Sequence, residues 1–350
     1  RIMNPISEEL SLMRTTLAAS MINAVTRNQK KGNLEGRLFE ITDENSPGLK
    51  NIHAKCINLC TNPAFKTLDN SSVEIVEPYA FQAETTSDYT FYMQLEKINL
   101  PACKTIGSYA FQGLSNRWST IAELNIPNVE KIGSGAFQYS LRKMRGTLAL
   151  NKATSIYSSA FKQAGFSKIS LPLITSLGSS VFEYCQNLEE IDMPLLETTG
   201  DYCFSACHAL RKINMPNLKT AGYRSFAFKR CHYTAEDFYF PNLETLGSYA
   251  FAYSNFGPRG KINFLPNVKT MKDDVFHGCV CEEIELPELL TSSSGGASFY
   301  NIKNLKKLRL PKVNGRFGNF FKWITYKSDD YTFDMDLIAP NLQYYSYSMF

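Results

Sequence analysis

Over most of the chain the apolar and polar positions follow one short pattern that returns about every two dozen residues. In LEEIDMP, Leu188–Pro194, the residues Leu188, Ile191 and Met193 are apolar and Asp192 stands between the last two. LRKINMP and LKKLRLP repeat the arrangement. Alternation of this kind predicts a short strand with one face inward and one in solvent. Proline has no N–H to give a ladder, so the proline that closes each run marks the end of the strand and a turn of the chain. Ten positions after most of these prolines stands a phenylalanine. The series runs Phe81, Phe111, Phe137, Phe161, Phe182, Phe204, Phe226, Phe251, Phe276, Phe299, Phe321 and Phe350, with steps of 21 to 30 residues.

The prolines ten positions upstream are Pro101, Pro127, Pro172, Pro194, Pro216, Pro241, Pro266, Pro311 and Pro340, with Asn151 in that place before Phe161. Pro287 precedes Phe299 by twelve, the two additional residues falling around SSSGG. A held period of this length predicts a solenoid, in which each unit buries its apolar face against its neighbours. Between proline and phenylalanine lie two further apolar positions, such as Leu243 and Leu246, and often a glycine. Gly107, Gly133, Gly178, Gly200, Gly222 and Gly247 suit a tight turn with positive φ or a close backbone approach.

The stretch LPLITSLGSSVFEYCQNLEEIDMP resembles the BspA-type, or Treponema-type, leucine-rich repeat, and the likeness extends over roughly residues 73–350 with about eleven copies. It implies an α/β solenoid, mainly β. The array would be right-handed and curved, with one short parallel strand per repeat and irregular or short helical segments opposite. The long segments 83–94 and 328–336 depart from the pattern.

Stacking predicts two ladders. The phenylalanines form an internal column. Four residues before the proline the chain reads Lys97, Glu123, Thr147, Lys168, Glu190, Lys212 and Asp237, then Lys261 after one extra residue, then Glu283, Lys307 and Asp336. The nearly alternating signs place opposite charges side by side on in-register strands. That row reads as register control, or alternatively as a charged binding face.

Residues 1–72 stand apart as a capping and transition segment. SEELSLMRTTLAASMINAVTRNQKKG opens on an N-cap, Ser7, with Glu8 and Glu9 in its first turn, and closes on Lys30, Lys31 and Gly32. Leu10, Met13, Leu17, Met21, Ala24 and Val25 fall on one helical face. A helical cap over the first repeats is expected there, with an oligomerisation or docking helix as the alternative. DENSPG reads as a loop. The start at Arg1 suggests a removed leader or an excised piece, and the end at Phe350 a truncated array or one covered by a partner.

Composition adds mainly exclusions. Hydrophobic residues make up 44% and charged residues 20% of the 350, an ordinary folded balance with no run long enough to span a bilayer. The net charge of +4 is small and the basic residues are interspersed, so no nucleic-acid partner is expected. Nine cysteines cannot all pair within one chain. Cys207-His208, Cys231-His232 and His277-x-Cys279-x-Cys281 raise the question of zinc, but paired Cys-x₂-Cys spacing is lacking. Cys185, Cys207 and Cys279 each follow an anchor phenylalanine by three residues, where the repeat favours a small buried filler. No metal and no cofactor is expected. No nucleophile elbow, phosphate loop or zinc-protease helix occurs, and the histidines form no acid–base constellation, so the chain reads as non-enzymatic. Asn70-Ser71-Ser72 is a lone glycosylation sequon.

Binding is the function left. The candidate recognition face is the solvent side of the strands, carrying Asn99, Asn125, Ser170, Asp192, Asn214, Tyr239, Asn263, Glu285 and Arg309. The candidate aromatic contacts are Tyr139, Tyr184, Tyr253 and Trp323, two residues after the anchor, unless these pack as part of the shell. The resemblance implies an extracellular or cell-surface adhesion module that recognises a protein or glycan through the sheet face or inserted loops. The alternative is a structural or receptor-binding appendage of a virus particle or other large assembly, docked by the N-terminal helix, which would also serve a homo-oligomer.

Overall fold

A computed structural model of the chain describes residues 41–42, 49–52, 66–82, 95–113, 120–227, 238–292, 298–313, 315–316, 336–340 and 342–344. They fall in two compact units, Arg1–Met144 and Arg145–Phe350. No helix occurs among the described residues, and no helix there is long and apolar enough to cross a membrane. The expected cap helix over 7–32 lies outside the described residues.

Each turn carries two short parallel strands, not the single strand expected. In the first unit a long ladder joins Ile41–Thr42, Thr67–Asp69, Lys97–Asn99 and Glu123–Asn125. A second ladder joins Asn51–Ile52, Ile75–Val76, Thr105–Ile106 and Lys131–Ile132. In the second unit the long ladder forms two sheets: one from Thr147–Ala149 to Lys212–Asn214, the other from Lys261–Ile262 to Asp336–Ile338. The short ladder there runs through Ser176–Leu177, Thr198–Thr199, Thr220–Ala221, Thr245–Leu246, Thr270–Met271 and Thr291–Ser292. The second strand falls four and five residues after the proline, most often at a threonine, with Lys131, Ser155 or Ser176 in other turns, followed in most turns by a buried aliphatic residue. That two-residue signal is short for period-2 alternation to reveal, which is why the sequence pattern shows only the first strand.

The phenylalanine column forms as expected. Phe81, Phe111 and Phe137 stack with centroids 5.2 Å apart at both steps. From Phe161 to Phe299 successive rings stack at 5.4 to 6.0 Å. Their spacing exceeds the 4.8 Å or so of the ladders, as the offset of stacked rings requires. Around the column, the middle residues of the long strands, the residue before each proline and the residues two and five after it are buried almost throughout.

The glycines serve close approach. A Cβ on Gly200 would stand 2.6 Å from the carbonyl carbon of Gly178, and one on Gly222 2.6 Å from that of Gly200. None of Gly107, Gly133, Gly178, Gly200, Gly222 and Gly247 has positive φ. That conformation belongs instead to the residues two before and two after the phenylalanine, including Tyr79, Tyr109, Tyr202, Tyr249, Tyr139, Tyr184 and Tyr253. Each such non-glycine residue costs of order 1–2 kcal/mol, offset here because the left-handed turns aim successive N–H groups at the next repeat. Thus Tyr202 N donates to Tyr223 O at 2.7 Å and Phe204 N to Ser225 O at 2.9 Å.

Candidate functional site

The long ladder sets two rows of side chains toward solvent, at its first and third positions. The first-position row pairs in the register expected: Lys97 with Glu123, Lys168 with Glu190, Glu190 with Lys212, Lys261 with Glu283, and Glu283 with Lys307. Nζ–carboxylate distances are 3.2 Å for Lys97–Glu123, 3.1 Å for Lys168–Glu190 and 3.1 Å for Lys261–Glu283. The hydrogen bond from Lys168, with Lys212 and Arg211 nearby, holds the Glu190 carboxyl below its ordinary range. The same alternation recurs one residue ahead of the strands, as in Lys50–Glu74–Lys104, Lys219–Glu197 and Lys306–Glu282. Exposed pairs of this type each contribute little, but a slipped register would set like charges together.

The third-position row is the candidate recognition face. In the first unit its members join laterally, Asn99 Nδ2 donating to Asp69 Oδ1 at 2.7 Å and Asn125 Nδ2 to Asn99 Oδ1 at 2.6 Å. In the second unit Ser170 Oγ donates to Asp192 Oδ2 at 3.0 Å and Asn214 Nδ2 to Asp192 Oδ1 at 2.6 Å. Tyr239 follows and is 60% exposed. In the other sheet Asn263 is exposed and Arg309 Nε lies 3.6 Å from Glu285 Oε1. A depression of about 570 Å³ opens over Thr147, Lys168, Ser170, Glu190, Asp192, Lys212, Asn214 and Tyr239, with the middle residues Ile169, Ile191 and Ile213 beneath.

The candidate aromatics are placed differently. Tyr184 and Tyr253 are a little under half exposed, and Tyr139 is partly buried. Trp323 lies outside the described residues. Tyr253 packs 5.0 Å from His277, which also faces Tyr300 at 4.7 Å, and Lys162 lies 5.9 Å over the Tyr184 ring. Tyr202, Tyr223 and Tyr249 make edge contacts at 5.1 and 5.8 Å, and Arg224 sits 4.9 Å over Tyr249. A hydrogen bond to the Asp274 carboxylate, reinforced by burial, pushes the Tyr249 hydroxyl up to about 12.

The cysteines after the anchors are buried, and each donates to the carbonyl of the preceding anchor. Cys185 Sγ reaches Phe161 O at 3.2 Å, Cys207 Sγ Phe182 O at 3.1 Å and Cys279 Sγ Phe251 O at 3.0 Å. Burial pushes the Cys185 and Cys281 thiols up to about 12 and that of Cys279 well up. Among the described residues no group of three or more His, Cys, Asp or Glu side chains gathers to hold a metal. Cys56, Cys60, Cys231 and His232 lie outside them. The sequon residue Asn70 is fully buried, its Oδ1 accepting from Ser72 N and Val73 N.

Two polar features were not foreseen. Asn128, Asn217, Asn242 and Asn267, each directly after a proline, donate Nδ2 to the carbonyl of the preceding turn's proline at 2.6 to 2.9 Å. The recurring Pro-Asn pair was the available signal. Thr199 and Ser225 share a buried 3.0 Å hydrogen bond where neighbouring turns carry apolar residues, and no sequence signal marks that pairing.

Residues 37–143, 154–259 and 224–322 match the BspA type leucine-rich repeat region, in six copies. Residues 1–51 match the phenylalanyl tRNA synthetase beta chain CLM domain. The phenylalanine–tRNA ligase beta subunit of Clostridium tetani (strain Massachusetts / E88) is 51% identical over 41 residues, 12% of this chain and 5% of that protein. The chain therefore spans about one twentieth of the length of that curated relative. Among solved structures, a leucine-rich repeat protein from Bacteroides ovatus ATCC 8483 aligns with 74% of this chain and 58% of its own, at 21% identity and TM-score 0.49. A leucine rich cell surface protein from Faecalibacterium prausnitzii A2-165 aligns at 16% identity over 79% of this chain and 84% of its own, TM-score 0.30. The pneumococcal vaccine antigen PcpA aligns at 13% identity over 83% and 84%, TM-score 0.39. With the repeat matched over well over half its length, and with the ladders and phenylalanine column that the repeat specifies, the chain belongs to the BspA type leucine-rich repeat family.

Proposed function

We propose that this chain is a non-enzymatic binding scaffold that recognises a protein or glycan through the outer face of its long ladder, in an extracellular or cell-surface setting. One observation carries the reading. The third-position row and its continuation expose Asn214, Tyr239, Asn263 and Arg309 to solvent, while the phenylalanine column and the first-position charges already secure packing and strand alignment. A row that the fold does not need for its core is available for a partner, and repetition extends it over many strands. The location rests on the family resemblance. The appendage alternative needs the N-terminal helix as docking element. That segment lies outside the described residues and within the part matching the synthetase beta chain domain, so no specific observation favours the alternative.

The test is a binding screen of the full chain against immobilised extracellular-matrix proteins and oligosaccharides. A variant combining Asn214→Ala, Tyr239→Ala and Asn263→Ala serves as comparison. Loss of a wild-type interaction in this variant, at unchanged melting temperature, is the expected result. Retention of every interaction by the variant would overturn the proposal.

A further inference from the structure

The depression on the long ladder of the second unit holds a combination that stacking alone does not call for. In the ladder the third-position side chains run Ala149, Ser170, Asp192 and Asn214 in register, and Tyr239 lines the same depression after Asn214, so a polar trough meets an aromatic ring. At 60% exposure Tyr239 is the most open large hydrophobic side chain among the described residues. We propose that this trough is a subsite for a neutral pyranose sugar, with Tyr239 as the stacking plate and Asp192 and Asn214 as the hydroxyl-reading groups. The assignment rests on the binding-scaffold reading above and gives it a ligand class.

Three features select that class. An exposed tyrosine ring offers a negative face on which the slightly positive axial C–H groups of a pyranose pack, at little entropic cost to a side chain with two rotatable bonds. In the same depression, on the far side of Asn214 in the row, Asp192 is already oriented: Oδ2 accepts from Ser170 and Oδ1 from Asn214. Each carboxylate oxygen therefore keeps a lone pair for a ligand hydroxyl, and the Asn214 amide has a further donor and an acceptor. Two such oxygens side by side suit a vicinal diol. Charge is the third feature. The rim carries Lys168 and Lys212 against Glu190 and Asp192, and Lys168 is bound to Glu190 at 3.1 Å. The opposite charges balance, so the trough offers no net attraction to a polyanion or a cation, whereas a hydroxyl-rich neutral ligand can use all four groups. A volume of about 570 Å³ lies within the range of small-ligand sites.

The experiment is an array of neutral gluco-, manno- and galacto-oligosaccharides with uronate and sialylated oligosaccharides alongside, probed with the full chain and followed by titration calorimetry. At least one neutral oligosaccharide should bind. Tyr239→Ala should weaken it by about tenfold or more, and Tyr239→Phe, which keeps the ring, by no more than about twofold. Both variants should melt with the wild type, because the ring is mostly in water. Binding to no neutral sugar, preference for the acidic ones, or an unchanged affinity in Tyr239→Ala would overturn the assignment. If a protein ligand binds and is lost in the triple variant while no neutral sugar binds, the subsite is wrong and the scaffold reading stands. If face substitutions leave every interaction intact, both fall.

Discussion

Thr199 gives the sharpest test of how the turns are joined. Elsewhere the glycine after the short strand donates its N–H to a backbone carbonyl one turn back, as Gly200 does to Leu177 at 2.9 Å and Gly247 to Ala221 at 2.8 Å. At Gly222 the acceptor is instead the Thr199 hydroxyl, at 3.2 Å, and that hydroxyl also shares the 3.0 Å bond with Ser225. Thr199→Val preserves the volume and the methyl but removes both partners. Leaving the part-buried Gly222 N–H unsatisfied costs about 1–3 kcal/mol and losing the Ser225 bond a further 0.5–1.5, so roughly 2–4 kcal/mol is expected. Thr199→Ser keeps the hydroxyl and loses one methyl group, costing about 0.8 kcal/mol plus a small void. Urea unfolding followed by circular dichroism would rank the two. The expected order is wild type, serine, then valine, opposite to what hydrophobic burial predicts. A valine variant within about 0.5 kcal/mol of wild type would refute the reasoning, since the ladder would then close through the Thr199 carbonyl without help.

Other outcomes follow from the same geometry. Phe204 is fully buried between Phe182 at 5.5 Å and Phe226 at 5.6 Å, so Phe204→Ala should cost about 3–5 kcal/mol in denaturant unfolding, and Asp192→Ala under about 1; equal effects would mean that the column does not carry the array. Gly222→Ala would press a Cβ to 2.6 Å from the Gly200 carbonyl and should destabilise by about 1–3 kcal/mol or more, and a neutral result would show that the turns can spread. Burial raises the thiols of Cys103 to about 11 and of Cys185 and Cys281 to about 12. Because the folded chain holds these protons more tightly, their contribution is complete below an unfolded pKa of about 9 and declines by up to about 1.4 kcal/mol per pH unit for each thiol above it. Melting temperature should therefore fall above about pH 9, and less in a Cys185→Ala, Cys281→Ala variant. Equal alkaline losses in both proteins would rule out Cys185 and Cys281 as contributors.

Periodicity alone determined the repeat, its phenylalanine column, the first strand of each turn and the charge register, because each depends on spacing that stacking preserves. Lys168 meets Glu190 since both stand four residues before their prolines. Of the nine candidate face positions, Asn125, Asn214, Tyr239, Asn263 and Arg309 are exposed and Asn99, Ser170, Asp192 and Glu285 half-buried, because lateral neighbours on the ladder cover part of each outward side chain. The second strand escaped that reading, because two residues are too short to display a period. So did the left-handed tyrosines: a tyrosine gives no local sign of positive φ, and only the neighbouring turn's carbonyl makes that conformation worthwhile. The Pro-Asn row was written in the chain but has meaning only once one turn's asparagine lies over the preceding turn's proline. Tertiary structure alone decided that Thr199 completes Gly222's hydrogen bond, that Asp192 is held from both sides, and that Tyr239 walls a trough. Those relations link residues 22 to 26 apart. What repeats within a turn follows from local chain chemistry; what passes between turns depends on a distance that only stacking sets.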